Sequence, residues 1–200
     1  MPSFPTQSIE GVDLTAIYDA ISTSTPEIPA WPFKVGDRVV ATDGSNWMFC
    51  TAGGGINQYD VVKIVQTTLS ATQMLGGAAS EVPSRIVGFY QNATAMTSGQ
   101  AAWFMISGKP RINVLGACVK NVQLYTTDTS GKLDDAIVTG SQFPIRGVYI
   151  ASTNPSATAT SIQATAMFPA IPQRTAANPR VAPEPMTQPV IVCVVETGKP

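Results

Sequence analysis

The sequence contains no histidine among its 200 residues, and histidine is both the commonest general base and the commonest protein ligand of transition metals. Charged residues make up only 12% of the chain, about half of the share that is usual in soluble proteins. The 12 basic and 13 acidic residues balance to a net charge of -1, so no basic stripe is available for a phosphate backbone. We therefore expect no enzymatic activity, no catalytic residues, no metal or cofactor, and no direct contact with nucleic acid.

Cysteine is also scarce. Cys50, Cys118 and Cys193 are odd in number and widely spaced, which predicts neither a disulfide framework nor a metal knuckle but buried apolar thiols. The first residues lack the basic and apolar regions of a secretory signal, so we expect none. The longest apolar run near the other end, Val190–Val195, is too short to span a bilayer, and we expect no membrane contact.

Residues 1–33 are predicted to form an N-terminal arm with one short helix over about residues 13–22. Asp13 can cap this helix, and its apolar side chains recur at intervals of three and four residues, which places them on one face. A helix of about three turns is not stable alone, so this face is expected to dock on the body of the chain or on a neighbouring molecule. The apolar side chains are Leu14, Ile17, Tyr18 and Ile21.

Trp31 follows the predicted helix within a proline-rich linker that contains Pro26, Pro29 and Pro32. These prolines favour extended backbone that pairs poorly in a sheet. Two interpretations of Trp31 remain open. It covers an edge of the core, or it contacts a partner, since tryptophan is enriched at interface hot spots.

Residues 34–169 are predicted to form a mainly β domain, a compact antiparallel barrel or sandwich. Short β-branched and aromatic runs alternate there with glycine and proline. Asp43-Gly44-Ser45 predicts a tight hairpin turn. The predicted strands are Arg38–Thr42, Asn46–Ala52, Tyr59–Val65, Ile86–Tyr90, Gln100–Ile106, Arg111–Leu115, Asn121–Thr126, Ile145–Ala151 and Thr160–Phe168.

The stretch Gly99–Thr127 is predicted to contain a hairpin, formed by Gln100–Ile106 and Arg111–Leu115, and then a third strand. The strand period of two sends Trp103 and Phe104 to opposite faces, so one is expected in the core and the other under a loop, a second sheet or another subunit.

Three segments between the predicted strands are read as connections. Gly53-Gly54-Gly55 is a flexible connector, because neither the lysine nor the helix of a phosphate-binding loop follows it. Thr67–Pro83 is predicted to be a surface loop. Asp128–Asp135 is either a turn with solvated acids or a weak cation site, because its spacing departs from that of a calcium loop.

Residues 170–200 are predicted to form an extended, proline-rich C-terminal arm. A β-prone segment at 190–195 ends it, and such a segment is an aggregation hazard when exposed. This segment either folds back onto its own sheet or adds as a strand to a neighbouring subunit. Its candidate contact residues are Val190, Ile191, Val192, Val194 and Val195.

The punctuation of turns and strands across Val35–Pro169 resembles small β-rich head proteins of tailed bacteriophages, which decorate or cement the capsid. The resemblance implies a structural protein made in the host cytoplasm and placed on the outer capsid surface, with the major capsid protein and its own copies, as a homo-trimer, for partners. It implies no active-site residues. The residues on which the resemblance rests are Gly36-Asp37, Asp43-Gly44-Ser45-Asn46-Trp47, Tyr59-Asp60-Val61-Val62, Trp103, Asn113-Val114-Leu115, Val122–Thr127, Gly131–Ala136 and Ile145-Arg146-Gly147.

Two other functions are weighed beside capsid decoration. A carbohydrate-binding or adhesion module on a virion surface would use an exposed tryptophan, Trp31, Trp47 or Trp103, as a stacking platform. An enzyme would need two carboxylates that meet across a cleft. Its candidates are Asp60, Glu81 and the Asp134-Asp135 pair.

Overall fold

The computed structural model describes residues 11–20, 31–76, 85–137, 143–153 and 160–166. Within these ranges the regular structure is entirely β, and no helix long and apolar enough to cross a membrane occurs there. The strands are β1 Ile17–Tyr18, β2 Arg38–Val40, β3 Asn46–Ala52, β4 Val61–Val65, β5 Ser70–Gln73, β6 Arg85–Phe89, β7 Ala101–Ser107, β8 Arg111–Val114, β9 Leu124–Thr126, β10 Leu133–Asp134, β11 Pro144–Ile145, β12 Val148–Ile150 and β13 Thr160–Ala166.

Five strands of the first sheet close into a ring. β3 pairs with β7, β7 with β6, β6 with β4, β4 with β5, and β5 returns to β3. β1 and β2 are added at β7 and β3. The mainly β, barrel-like class predicted from the sequence is therefore confirmed. Closure removes most exposed strand edges, which are otherwise prone to pair with other chains.

The second sheet has the strand order β11-β9-β10-β8-β13-β12. Main-chain hydrogen bonds tie it to the barrel, for example from Val61 N to Gly131 O at 2.9 Å and from Asn113 N to Tyr59 O at 2.9 Å. Two pairings in the fold, β3 with β5 and β10 with β8, are parallel. The wholly antiparallel arrangement that we predicted is therefore wrong at these two places.

Successive side chains of the barrel strands point to opposite faces, and they contribute to two separate apolar cores. On β7, Phe104 joins a cluster formed by barrel residues alone, whereas Trp103 joins a cluster that the barrel shares with the second sheet. Both side chains are buried. The predicted opposite orientation of this pair is confirmed, and the cover over Trp103 includes apolar side chains of the second sheet, such as Ile112 and Val114.

Several predicted elements are confirmed. β3 has the predicted bounds, and Asp43-Gly44-Ser45 joins it to β2 as an antiparallel hairpin. Gly44 has a φ of 80°, which glycine adopts without strain. β12 and β13 pair as neighbours. The strand predicted over Ile145–Ala151 is instead divided between β11 and β12 by a turn at Arg146-Gly147.

The predicted helix over residues 13–22 is wrong for residues 13–20, where a turn leads into β1. Asp13 accepts hydrogen bonds from the main-chain N–H and the hydroxyl of Thr15, so its side chain closes a local turn instead of capping a helix. The backbone of Ile17 and Tyr18 then pairs with β7. Tertiary pairing overrides a weak local helix signal at this point. Residues 21 and 22 lie outside the described residues.

Two predictions in the middle of the chain are also wrong. β7 and β8 do not form a hairpin, because β8 enters the second sheet and pairs with β13 and β10. Gly108 lies at the crossing with a φ of 134° and an isolated bridge to Ala166. The predicted loop Thr67–Pro83 contains β5, which the sequence signal missed because only Ala71 among its four residues is buried.

Candidate partner-contact site

The structure places four of the predicted contact residues on the barrel. Leu14 is 3% exposed and belongs to the shared core. Ile17 packs against the barrel interior, while Tyr18 and Trp31 pack against the shared core. The remaining predicted contact residues lie outside the described residues, as does the C-terminal arm: they are Ile21, Val190, Ile191, Val192, Val194 and Val195.

Residues 11–20, which we call the N-terminal strap, lie along β7. Ile17 is opposite Ala102 and Tyr18 is opposite Ala101 in an antiparallel register. Because neighbouring residues of a strand point to opposite faces, β1 sends Ile17 towards the barrel interior and Tyr18 towards the shared core. The sequence pattern had placed these side chains on a single helical face.

An aromatic cluster holds the strap at Tyr18. The Tyr18 ring meets Phe33 edge-on at 6.0 Å between centroids and Phe49 at 5.5 Å. Trp31 contacts the same Phe49 ring at 6.1 Å, and Phe49 also packs against Trp103 at 5.3 Å. Edge-to-face pairs of this kind add about 0.5–1.5 kcal/mol each beyond the area that they bury. The cluster therefore anchors both the strap and the segment that follows Trp31.

Hydrogen bonds fix the strap at both ends. The indole N–H of Trp31 donates to the main-chain carbonyl of Asp19 at 2.8 Å, and the Gln100 amide donates to the Asp19 carboxylate at 3.2 Å. The Asn92 side-chain amide donates to the carbonyl of Thr15. Side chains from outside the strap thus satisfy the carbonyls of Thr15 and Asp19. Asn92 and Gln100 were not singled out by the sequence analysis, since single polar residues in loops carry no recognisable pattern.

The environment of the strap keeps the Tyr18 hydroxyl protonated. Burial raises the pKa of Tyr18, and the nearby negative charge of Asp13 raises it further. Both causes disfavour the phenolate. The Tyr18 phenol, which is neutral at pH 7 even with an ordinary pKa, therefore stays neutral to a higher pH than a free tyrosine.

The tryptophans proposed as a sugar platform are mostly buried. Trp47 is 2% exposed and donates its indole N–H to the Ser45 hydroxyl at 2.8 Å. Trp103 is 1% exposed. Trp31 is half-buried and already hydrogen-bonded to Asp19. Stacking of a sugar ring needs an open aromatic face, and Trp47 and Trp103 do not offer one.

Asp60 lies at the junction of the barrel and the second sheet, and it is 3% exposed. Its carboxylate accepts hydrogen bonds from the Asn57 main-chain N–H at 2.7 Å, from the Gln73 amide at 2.5 Å and from the Asn113 amide at 3.2 Å. Three donors compensate for the burial of this carboxylate. Asp60 therefore links two sheets, while Glu81, the second single acid considered for catalysis, lies outside the described residues.

Cys118, Asp134 and Asp135 form a second polar cluster, whose potential ligand atoms all lie within 4.8 Å of one another. The Cys118 thiol donates to Asp134 Oδ1 at 3.3 Å, and Asp135 Oδ2 accepts from the main-chain N–H of Val119 at 2.7 Å. Burial, assisted by the bond to Asp134, raises the pKa of the Cys118 thiol to about 12. These bonds fasten the loop around Val119 to β10, and a thiol and two carboxylates are the chemistry by which a cation could also be held there.

Cys50 and Cys118 are both buried free thiols, which confirms the prediction for these two residues. Cys193 lies outside the described residues. Of the segment Asp128–Asp135, the part from Leu133 to Asp134 forms β10 with both residues buried. The interpretation of this segment as a turn with solvated acids is therefore wrong for Asp134.

Four exposed apolar side chains lie in the connections between strands of the second sheet. Ile137 is 56% exposed and follows Asp135 by two residues, and Phe143 stands directly before β11. We call Val119, Val122, Ile137 and Phe143 the exposed apolar set. Only two other large apolar side chains among the described residues are exposed, Val40 and Leu75. The sequence pattern missed this set because isolated apolar residues in connections have no periodicity.

Comparison with known proteins gives no family for the chain. No protein-family model matches it, and no curated protein matches it significantly.

Proposed function

We propose that this protein is a structural subunit that binds other protein, and that it decorates or cements the head of a tailed bacteriophage. In this role it sits on the outer capsid surface of the virion as a homo-trimer. Its β-body and terminal arms bridge major capsid subunits. The sequence resemblance across Val35–Pro169 supports the phage assignment.

The exposed apolar set is the observation that carries the proposal. Contiguous exposed apolar patches are typical of protein interaction sites, and we propose that the connections of the second sheet form such a patch. Val119 and Ile137 are brought to the same neighbourhood by the bond between Val119 N and Asp135. A surface with few charges needs little desolvation when a partner covers it.

The polar side chains best placed for chemistry already hold the fold together. Asp60 joins the barrel to the second sheet, and Asp134 and Asp135 fasten a neighbouring loop. A rigid domain in which these polar side chains are hydrogen-bonded within the fold suits a structural subunit that stabilises an assembly. Such a subunit makes many weak contacts with several neighbouring subunits, and their high effective concentration raises the overall affinity.

Binding to capsids tests the proposal directly. Purified protein is mixed with expanded heads of the phage that encodes it, and bound protein is measured by co-sedimentation, together with the temperature at which the heads break. We expect saturable binding and a higher breakage temperature. Ile137→Lys should weaken binding at least about tenfold, because a charge would be buried at the interface.

Val40→Lys is the matched control, since Val40 is also exposed, at 41%, but lies on β2 of the barrel. This variant should bind as the unchanged protein does. Absence of any binding by the unchanged protein, with no change in heat resistance, would remove the capsid proposal. An equal loss of capsid binding in Ile137→Lys and Val40→Lys would show that the exposed apolar set is not the contact surface.

A further inference from the structure

The N-terminal strap occupies a groove that is built by distant parts of the chain. One wall is the edge of β7 at Ala101 and Ala102, and the floor includes Phe49. Three side chains of the strap, Val12, Leu14 and Tyr18, pack on the shared-core side. The groove therefore recognises an extended peptide through both its backbone and its side chains, which is the mode of strand addition.

The contacts that hold the strap do not depend on the connection that joins it to the barrel. Asn92 and Gln100, which bond Thr15 and Asp19, lie 77 and 81 residues further along the chain. A Cβ on Gly99 would lie 3.0 Å from Ala20 Cβ, so the groove also fits closely around the end of the strap. The same groove would accept the same peptide from another molecule with the same contacts.

Residues 21–30, which connect the strap to Trp31, lie outside the described residues, and only their length and composition bear on the strap. Their sequence, ISTSTPEIPA, holds two prolines and no long apolar run, and ten extended residues reach about 33 Å. Proline restricts the preceding residue to extended conformations. Identical subunits can exchange a terminal element when its connection is long enough to reach a neighbour.

We propose that the N-terminal strap is exchanged between copies, so that residues 11–20 of one molecule dock on β7 and Phe49 of a second molecule. This inference rests on the proposed structural function, because subunits side by side on a common surface raise the local concentration of straps to the millimolar range. Trp31 of the accepting molecule then holds the Asp19 carbonyl of the donor. The strap links neighbours in the assembly and folds back on its own barrel in the dilute monomer.

Cross-linking between two different variants tests the exchange. Thr15→Cys and Asn92→Cys are prepared as separate full-length proteins in a Cys193→Ser background and mixed at high concentration. Both positions are at the surface and adjacent across the groove, so a short bismaleimide should join them. We expect a covalent dimer that contains one molecule of each variant and whose yield rises with concentration.

Two controls make the outcome decisive. A single chain that carries both cysteines reports docking within one molecule, and Thr15→Cys mixed with Val40→Cys reports random collision, since Val40 is exposed on β2. A mixed dimer well above the collision level supports exchange. Cross-linking only within the single chain, at every concentration up to the millimolar range, would overturn it.

A second pair of cysteine positions is used in case the first pair is badly oriented for cross-linking. Ile17→Cys and Ala102→Cys are opposite each other across β1 and β7, at the Cα separation that disulfides accept. Oxidation of the two mixed proteins should again give the mixed dimer. The capsid-binding assay with unchanged protein is independent of both measurements, so failure of exchange and failure of the proposed function are distinguished.

Discussion

The side-chain amide of Asn113, on β8, donates to Asp60 Oδ1, next to β4, at 3.2 Å. The same amide donates to the carbonyl of Gln58 at 3.0 Å. These two bonds span the junction between the second sheet and the barrel. The buried Asp60 carboxylate and its donors therefore add to the main-chain hydrogen bonds and the shared core that join the second sheet to the barrel.

Asp60→Ala should destabilise the fold by about 3 kcal/mol or more. The change removes a charged acceptor and leaves the donors of Asn57, Gln73 and Asn113 without it, and a buried donor without a partner costs about 1–3 kcal/mol. Urea denaturation followed by circular dichroism measures the free energy of unfolding. Asp43→Ala is the matched control, because Asp43 accepts two bonds from Ser45 in an exposed hairpin turn. A control loss as large as that of Asp60→Ala would contradict the junction role.

Gly131→Ala should be far more destabilising than Gly44→Ala. Both glycines have positive φ, 75° and 80°, and a side chain in that region costs about 1 kcal/mol or slightly more. A Cβ on Gly131 would also lie 2.5 Å from the Asp60 carboxylate, whereas a Cβ on Gly44 meets nothing within 4 Å. We expect a loss of about 1 kcal/mol for Gly44→Ala and at least twice that for Gly131→Ala in thermal melts. Similar melting temperatures for the two variants would show that the Asp60 carboxylate can move away from a Cβ at position 131 at little cost in stability.

The free energy of unfolding should fall as the pH rises above about 9. Burial raises the pKa of the Cys50 thiol to about 12, while the same thiol in the unfolded chain ionises near pH 8.5. The native state thus keeps a proton that the unfolded state releases, so this stabilisation is complete below pH 8.5 and is lost between there and pH 12. The slope approaches about 1.4 kcal/mol per pH unit for this thiol.

Cys50→Ala checks the assignment, because its unfolding free energy should depend less steeply on pH between 9 and 11. In the native protein at pH 8, Cys50 and Cys118 should resist a thiol reagent, since both are buried. Val40→Cys, at an exposed position, should react at once under the same conditions. Rapid modification of Cys50 without unfolding would contradict the closed barrel.

Iodide quenching of fluorescence should separate Trp31 from the other two tryptophans. Trp47 and Trp103 are buried, and Trp31 is half-buried at the strap. We expect Trp31→Phe to remove most of the quenchable emission, and Trp47→Phe to leave that fraction in place. Strong quenching that survives in Trp31→Phe would show that Trp47 or Trp103 is open to solvent. That result would revive the carbohydrate-binding alternative.

Trp31→Phe also removes the donor to the Asp19 carbonyl while keeping an aromatic ring against Phe49. Loss of one such bond costs about 0.5–1.5 kcal/mol. Hydrogen exchange at residues 17–19 should therefore quicken roughly tenfold, with little change on β7. Unchanged exchange in the strap would mean that Tyr18 and the β7 pairing hold it without Trp31.

The elements with local signals could be predicted from the amino-acid sequence. Alternating apolar residues defined β3, Asp43-Gly44 defined its hairpin, and the period of two separated Trp103 from Phe104. These outcomes depend on backbone geometry and on the burial of neighbouring side chains, which a few consecutive residues encode. The mainly β class and the buried state of Cys50 and Cys118 follow from the same local chemistry.

The pairing of the strands, and the side chains that this pairing places in contact, could not be predicted from local signals. Leu14, Ile17 and Tyr18 fit a helical stripe, yet the backbone of Ile17 and Tyr18 pairs with the edge of β7. β8 pairs with β13 instead of the predicted β7, and Asp60 accepts a hydrogen bond from Asn113 of the second sheet. Pairing between residues distant in sequence is set by the global packing of apolar surface and by the need to satisfy buried polar groups, and neither can be read from a local pattern.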